Sequence, residues 1–313
     1  MMSYDVIGDV HGEAGKLEAL LKALGYVRNG RGWRAPLGRQ AVFVGDLIDR
    51  GPGQMQVLET VRSMVDGDQA KAVLGNHEFN AIAWWVRKTP DAPDHLRPHS
   101  DKNRRQHAAF LDQVGEGSPA HEAWVDWFRG LPLALDLGGI RVVHALWDDA
   151  AVAEVEQQRP EGRSLDDDLM HACFAQDSPL KAARKLLTCG FEWDLPEGIR
   201  IRSKEGTEHG EARIAAWRHG ASRLREVALV PGDNLHLVPD IELPPEVKAA
   251  MKPVDGAPVF IGHHWFRGPP AVEGPKVACL DWSAAAGGPL VAYRWDGEAE
   301  LHNANFVAVG GRA

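Results

Sequence analysis

Four short apolar runs in this 313-residue chain each lead into a polar side chain that can bind a metal ion. In each run two apolar residues are followed by a glycine and then by the polar residue, which is Asp9, Asp46, Asn76 or His263. Glycine permits a sharp turn or a close approach of the backbone to another group. Because ligands bind at the carboxyl ends of strands in open α/β sheets, we expect the four side chains to converge.

Two further potential ligands follow strand ends at short range. His144 ends a fifth apolar run that lacks the glycine, and His11 lies two residues beyond Asp9. Mixed imidazole and carboxylate ligands suit Mn, Fe, Zn or Ni better than Ca or Mg. Each residue alone is explained by ordinary turn chemistry, but a site for two metal ions requires such clustering. We therefore predict two divalent ions, with Mn²⁺ as the expected metal and Fe, Zn or Ni as alternatives.

The elements that must position these residues alternate between strands and helices. Strand-like apolar runs in the first third of the chain are separated by helical patterns, and strand patterns return at 140–143, 259–261, 277–280 and 290–294. The segment 80–130 is helical and rich in tryptophan, with Ser118 as an N-cap and Pro119 at the first helical position. This alternation predicts an α/β fold with a parallel sheet covered on its faces.

Composition and charge exclude several classes of protein. A formal net charge of −9 argues against nonspecific binding to nucleic acid, because such binding needs clustered Lys and Arg. Three widely spaced cysteines form no CxxC pair and indicate a reducing compartment. No secretory signal and no apolar run long enough for a membrane helix is visible. We therefore expect a soluble, cytoplasmic protein that does not enter a membrane.

Three segments resemble the signature blocks of the calcineurin-like metallophosphoesterases: 8–12, 45–51 and 75–78. The Asp-Arg-Gly ending of the second block, together with Glu78 in the third, is similar to the serine/threonine phosphoprotein phosphatase branch, which includes bacterial diadenosine tetraphosphatases. Segments 143–145, 262–263, 278–281 and 287–290 are similar to later blocks of those bacterial enzymes. The resemblance implies a β-sandwich flanked by helices, as a single domain over 1–313 with a poorly readable insertion around 150–257.

The resemblance also implies a role for each site residue. Asp9 and His11 would hold one metal ion, Asp46 would bridge both ions, and Asn76, His144 and His263 would hold the second. His77 would face the leaving-group oxygen, positioned by Asp49, while Arg50 would bind phosphate oxygens. A second phosphate-binding arginine is expected, and our candidate is Arg213, beyond a polar loop at 203–211.

Two further points concern histidines and a tryptophan near these blocks. Many members of the superfamily carry a ligand histidine where this chain has Trp265, and the phosphoprotein phosphatase branch also lacks it. Whether His264 contributes beside His263 stays open. His95, His99 and His107 lie in a charged segment, where we interpret them as exposed, although they could line a substrate pocket.

The implied activity is hydrolysis of a phosphomonoester or phosphoanhydride by in-line attack of a hydroxide that bridges the two ions. The substrate would be a phosphorylated small molecule, a nucleotide or a phosphoprotein. Segments 80–130 and 150–257 would set the specificity. The alternative is a catalytically silent scaffold that keeps the fold and the metal ions, but every expected site position is filled in this sequence.

Overall fold

The computed structural model describes residues 2–30, 32–160, 163–202 and 208–311. Part of the polar loop, 203–207, therefore lies outside the described residues. The strands are β1 (Ser3–Ile7), β2 (Val27–Asn29), β3 (Gly32–Arg34), β4 (Arg39–Phe43), β5 (Ala70–Ala72), β6 (Ala134–Asp136), β7 (Arg141–Val143), β8 (Phe191–Asp194), β9 (Ile201–Arg202), β10 (Glu208–His209), β11 (Glu211–Ile214), β12 (Ala228–Leu229), β13 (Val259–Ile261), β14 (Val277–Cys279), β15 (Leu290–Trp295) and β16 (Phe306–Val309).

The helices lie between these strands. They are α1 (Ala14–Ala23), α2 (Gln54–Asp66), α3 (Asn76–Trp85), α4 (Asp101–Val114), α5 (Pro119–Gly130), α6 (Asp149–Gln158), α7 (Asp167–Phe174), α8 (Pro179–Cys189), α9 (Leu224–Val227) and α10 (Pro245–Ala250). Helix α5 begins as predicted, since Ser118 Oγ accepts the backbone N–H of His121 and Pro119 is the first helical residue. Within the described part of the chain, no helix combines the length and the apolar character that crossing a membrane requires.

Two sheets form the centre of the molecule. The first has the order β16-β15-β1-β4-β5, in which β1, β4 and β5 are parallel and β15 pairs antiparallel with both of its neighbours, β1 and β16. The second has the order β14-β13-β7-β6, in which β14, β13 and β7 are parallel. The predicted alternation of strands and helices thus accounts for the parallel part of both sheets.

The side chains of each strand alternate between two apolar layers. One layer contains residues from the facing sides of both sheets, among them Val6, Val42, Val142, Phe260 and Val291. Their chain neighbours pack with the helices instead, among them Ile7, Phe43, Val143, Ile261 and Ala292. The two sheets therefore face each other and helices cover the outside, which confirms the predicted β-sandwich flanked by helices.

The parallel strands bring their carboxyl ends to one rim of the sandwich. The backbone of Gly262, after β13, donates to the carbonyl of His144, after β7, at 2.8 Å. Across the sandwich, His144 Nδ1 donates to the carbonyl of Val44, after β4, at 2.8 Å. The loops that carry the predicted ligands are therefore joined to one another by hydrogen bonds from both sheets.

A third, smaller sheet with the order β12-β11-β8 lies within the segment that the sequence left unreadable. It has its own apolar cluster, which includes Ile201, Ile214, Leu224 and Val247. Its strands are two to four residues long, too short to produce a clear alternating pattern. Strand β11 reaches the rim, because Arg213 Nη1 donates to the carbonyl of His263 at 2.7 Å.

Replacing Phe260 by Ala should lower the free energy of unfolding by about 3–5 kcal/mol, because a fully buried aromatic side chain between the sheets would leave a cavity. The matched control is Phe306→Ala on edge strand β16, where a half-buried ring packs against the same Tyr293. The control should lower the free energy of unfolding clearly less than Phe260→Ala does. Urea denaturation measures both, and equal losses would contradict the placement of Phe260 between two sheets.

Candidate metal centre

Several predicted site residues adopt a backbone conformation that is unusual for side chains other than glycine. The φ angle is 45° at His11, 51° at Asp46, 69° at Asp49, 71° at Arg50 and 69° at His263. This left-handed region costs of order 1–3 kcal/mol per residue and persists where surrounding contacts enforce it, most often at functional sites. The strand-end turns are therefore held in place by their neighbours rather than by local preference.

Two of the strand-end glycines are required by close contacts with the site. A Cβ at Gly262 would overlap Asp9 Oδ1, and a Cβ at Gly75 would overlap the carboxylate and the backbone nitrogen of Asp46. These contacts explain why glycine precedes the polar residue in these two runs. The predicted function of the glycine, a close approach of the backbone to another group, is confirmed at both positions.

Glu78 fixes the loop after β4 against the start of α3. Its Oε1 accepts the backbone N–H groups of Leu47 (2.7 Å) and Ile48 (3.2 Å), and its Oε2 accepts those of Asp46 (2.9 Å) and Gly75 (3.0 Å). The side chain is fully buried. One carboxylate thus satisfies four backbone donors that would otherwise lie buried without partners. In the sequence analysis Glu78 appears only as part of the third signature block, and its hydrogen bonds to the backbone were not predicted.

Asp46, His144 and His263 place potential ligand atoms within 4.8 Å of one another. Asn76 Oδ1 completes this group, at 3.1 Å from His144 Nε2 and 2.9 Å from His263 Nδ1. Because His144 Nδ1 donates to a carbonyl, the Nε2 lone pair of a neutral His144 faces the oxygens of Asn76 and Asp46, the latter at 3.3 Å. Acceptors that converge in this way are satisfied by positive charge, either a cation between them or a proton on His144 Nε2.

The electrostatics of this group favour positive charge. Burial by itself lowers the pKa of His144, but the adjacent Asp46 carboxylate raises it to about 10. Burial and the neighbouring carboxylates of Asp281 and Asp46 raise the pKa of Asp9. Asp9 Oδ1 and His263 Nε2 are buried, and each has no hydrogen-bond partner among the residues that the structure describes. The residues present therefore fit a divalent ion.

A second group of ligand atoms contains His11, Asp46 and His77, again within 4.8 Å of one another. His11 Nδ1 donates to the carbonyl of Ile48 at 2.8 Å, which leaves Nε2 facing Asp46 Oδ2 at 3.5 Å. His77 Nε2 lies 3.8 Å from the same oxygen. Asp46 is thus common to both groups.

Asp9 lies at the rim but not in either closely spaced group. Its Oδ2 accepts the backbone N–H of His263 at 3.0 Å, and its Oδ1 has no partner among the described residues. The structure therefore gathers all six predicted metal ligands at one rim. It sets His77 nearer than Asp9 to the pair formed by His11 and Asp46.

Asp49 lies between two imidazoles. Its Oδ2 is 2.6 Å from His77 Nδ1, and its Oδ1 is 2.8 Å from His107 Nδ1. Burial alone would raise the pKa of Asp49, but His107 and His77 together hold it well below its usual range. The pairing of His77 with Asp49 was expected from the resemblance, whereas the second imidazole was not.

The interpretation of His107 as an exposed loop residue was wrong. His107 is buried on α4, although His99 is exposed and His95 is partly exposed. The buried residues of α4, His107, Phe110, Leu111 and Val114, follow one another at helical spacing. That period was the signal in the sequence that would have placed the imidazole on a buried face.

Three arginines surround the ligand groups. Arg50 is exposed and follows Asp49 in the chain. The pKa of His11 is lowered mainly by burial, then by the neighbouring His77, and also by the positive charge of Arg50. Arg213 is half-buried, with its guanidinium 3.7 Å from the ring centre of Trp265. Arg267, which sequence reasoning missed, lines a cavity of about 90 Å³ together with His11, Arg50 and Trp265. Positive side chains thus lie at the open side of the rim.

His264 does not belong to either ligand group of the described residues. Its Nε2 donates to the carbonyl of Ala145 at 3.0 Å, and its ring packs edge-on against Trp217. The imidazole therefore connects the loop after β7 with the segment that follows β11. His263 is the member of the pair that points to Asn76.

Comparison with known proteins places most of the chain in one family. Residues 2–228 match the family model described as calcineurin-like phosphoesterase. In fold, the chain is similar to a protein serine/threonine phosphatase from Saccharomyces cerevisiae, with a TM-score of 0.50 and 14% identity, over 100% of this chain and 80% of that one. The predicted resemblance is confirmed at the level of family and fold.

Curated relatives match shorter stretches. An asymmetrical bis(5'-nucleosyl)-tetraphosphatase PrpE from Geobacillus thermodenitrificans is 43% identical over 146 residues, 46% of this chain and 57% of the relative. A symmetrical bis(5'-nucleosyl)-tetraphosphatase from Ralstonia nicotianae is 34% identical over 141 residues, 44% of this chain and 40% of the relative. The chain therefore spans about half the length of these two relatives.

Replacing Glu78 by Gln should destabilise the protein by about 2 kcal/mol or more, because an amide NH₂ would face two of the four backbone donors. Glu122→Gln on the exposed face of α5 is the matched control and should stay within about 0.5 kcal/mol of the original chain. Urea denaturation measures both variants. Equal stability of the two would show that Glu78 does not fix the loop.

Proposed function

The chain belongs to the calcineurin-like phosphoesterase family, and from this premise we propose that it is a metal-dependent hydrolase of phosphomonoesters or phosphoanhydrides. The observation that carries the proposal is the position of Asp46, whose carboxylate lies in both groups of potential ligands. A shared carboxylate suits two ions held close together. A catalytically silent scaffold is a weaker account, because the candidate proton donor and the arginines are present beside the ligands.

We assign the ligands as follows. Asp9 and His11 would hold one ion, Asn76, His144 and His263 would hold the other, and Asp46 would contribute to both. The buried Asp9 Oδ1, which has no partner among the described residues, supports Asp9 as a ligand although Asp9 lies in neither closely spaced group. The mixture of imidazole, carboxylate and amide suits Mn²⁺, which we propose as the metal, and also Fe, Zn or Ni. When bound, two divalent ions supply Lewis acidity and make a water molecule more acidic.

The residues beside the ligands orient the substrate and move a proton. His77 Nδ1 is held by Asp49, so His77 Nε2 is directed at the side where Asp46 lies. From that position His77 donates a proton to the leaving-group oxygen. The guanidinium of Arg50 is free to bind two phosphate oxygens at once. Arg213, anchored on the carbonyl of His263, is the candidate for a second contact with phosphate.

The names of the curated relatives favour a nucleotide substrate. Both relatives described above are bis(5'-nucleosyl)-tetraphosphatases. We therefore place dinucleoside polyphosphates first among the substrates of this chain and phosphoproteins second. In this proposal the chain is a single cytoplasmic domain, and the insertion at 150–257 covers one side of the site through Arg213.

Metal-stripped protein should turn over p-nitrophenyl phosphate, a phosphoserine peptide and diadenosine tetraphosphate only after Mn²⁺ is added. Asp46→Asn should lower both the bound metal and the turnover, the latter at least about hundredfold, because its carboxylate contributes to both groups. Metal analysis and initial rates measure these effects. A wild-type protein inactive on all three substrates with Mn²⁺ would overturn the proposal, and the ratio of rates identifies the substrate class.

Replacing His77 by Ala should leave the metal content unchanged and slow the hydrolysis of an alkyl phosphate by about 10² or more, since a poor leaving group needs a proton. Hydrolysis of p-nitrophenyl phosphate should fall much less. Initial rates on the two esters and metal analysis test this. Equal losses would argue against proton donation, and loss of metal would instead make His77 a ligand in the group with His11 and Asp46.

A further inference from the structure

His107 has no role in the reaction as described so far, yet it contacts the residue that positions His77. Both oxygens of Asp49 are occupied by imidazole nitrogens, Oδ2 by His77 Nδ1 at 2.6 Å and Oδ1 by His107 Nδ1 at 2.8 Å. His107 comes from α4, 58 residues further along the chain. It is 2% exposed. The bond is therefore a buried tertiary contact and not a feature of the local turn.

The surroundings of His107 make the bond to Asp49 its only polar contact within the described structure. Its ring packs against the rings of Phe110, at 5.1 Å between centres, and Trp84, at 5.8 Å. Its Nε2 is buried and has no hydrogen-bond partner among the described residues. An apolar side chain would fill this space without burying an unpaired nitrogen, which costs about 1–3 kcal/mol. Packing alone therefore does not account for an imidazole here.

The bond restricts the orientation of the Asp49 carboxylate. An ionised carboxylate can only accept, so both Nδ1 atoms carry the proton and the remaining nitrogen of His77 is directed toward Asp46. Because Oδ1 is occupied by His107 Nδ1–H, the carboxylate keeps its other oxygen, Oδ2, on His77.

We infer that His107 is a positioning residue, whose Nδ1–H fixes Asp49 so that Asp49 keeps His77 directed at the leaving group. The inference rests on the proposed function. It predicts that His107 acts through Asp49 and His77, and that it contributes nothing to binding of the metal ions.

Activity measurements on the Mn²⁺-loaded full chain test the inference. His107→Leu should lower kcat for an alkyl phosphate by about 10–100-fold, as loss of an orienting hydrogen bond typically does, with KM within about twofold and a smaller effect on p-nitrophenyl phosphate. His107→Asn places an N–H near the same point and should recover most of the rate. Equal losses on both esters, or no recovery with Asn, would overturn the inference.

The matched control is His121→Leu. His121 is also buried, on α5, and its ring packs against the same Phe110, but it makes no contact with Asp49. This variant should hydrolyse both esters at rates within about twofold of wild type. If His107→Leu acted only by disturbing the packing around Phe110, His121→Leu should cause a similar loss. In an Asp49→Asn background, His107→Leu should cause no further loss. Additive losses would show that His107 does not act through Asp49.

A measurement without turnover separates this inference from the proposed function. If the wild-type chain hydrolyses nothing, the proposed function fails, but proton NMR of protein with ¹⁵N-labelled histidine still reads the bond between His77 and Asp49. The low-field N–H resonance of His77 should be present in wild type and His107→Asn, and shifted or lost in His107→Leu. An unchanged resonance in His107→Leu would overturn the inference.

Discussion

The carboxylate of Asp46 is the constraint on which the geometry of the rim depends. It accepts the backbone N–H of His77 at 3.0 Å and lies within 3.5 Å of ring nitrogens of both His11 and His144. Its own backbone N–H is held by Glu78. A negative charge buried in this way is costly unless positive charge is close. The loops from both sheets are arranged so that one cation on each side of Asp46 would supply that charge.

The other buried carboxylates near the rim receive hydrogen bonds from the protein itself. Glu78 accepts four backbone N–H groups, Asp49 accepts from two imidazoles, and Asp281 accepts the N–H groups of Trp265 and Ser283. Hydrogen bonds of this kind stabilise the charged form of a carboxylate, but burial still raises the pKa of Glu78 to about 7 and raises the pKa of Asp281. Asp9 differs from these, because its buried Oδ1 has no hydrogen-bond partner among the described residues.

Features that depend on residues close together in the sequence could be predicted, whereas features that depend on contacts between distant segments could not. The strand ends with Gly-Asp, Gly-Asn and Gly-His are local patterns that the sequence shows directly. Because the carboxyl ends of parallel strands meet at one edge of a sheet, these patterns were enough to predict that the ligands converge at one rim. The sandwich of two sheets did not follow from periodicity, because a parallel sheet covered by helices fits the same alternation, and only the resemblance indicated it. The short strands between 191 and 229 gave too little pattern for any assignment.

The missed residues of the site share a physical reason. Their positions at the site depend on contacts between segments that are far apart in the chain. This holds for His107, for Arg267 and for the hydrogen bonds of Glu78 to the loop after β4. His107 lies in a stretch with many charges, and the apolar period of α4 was the only sign that one face of it is buried. Conversely, Asp9 fitted the expected ligand pattern, yet it belongs to neither closely spaced ligand group, and its Oδ2 accepts the backbone N–H of His263.

The most direct test of the account is a crystal structure of the protein soaked in Mn²⁺, with anomalous difference maps calculated at the manganese edge. The account predicts two peaks about 3.5–4 Å apart, on either side of the Asp46 carboxylate, with Asn76, His144 and His263 around one of them and Asp9 and His11 around the other. A single peak, or peaks that do not share Asp46, would contradict it.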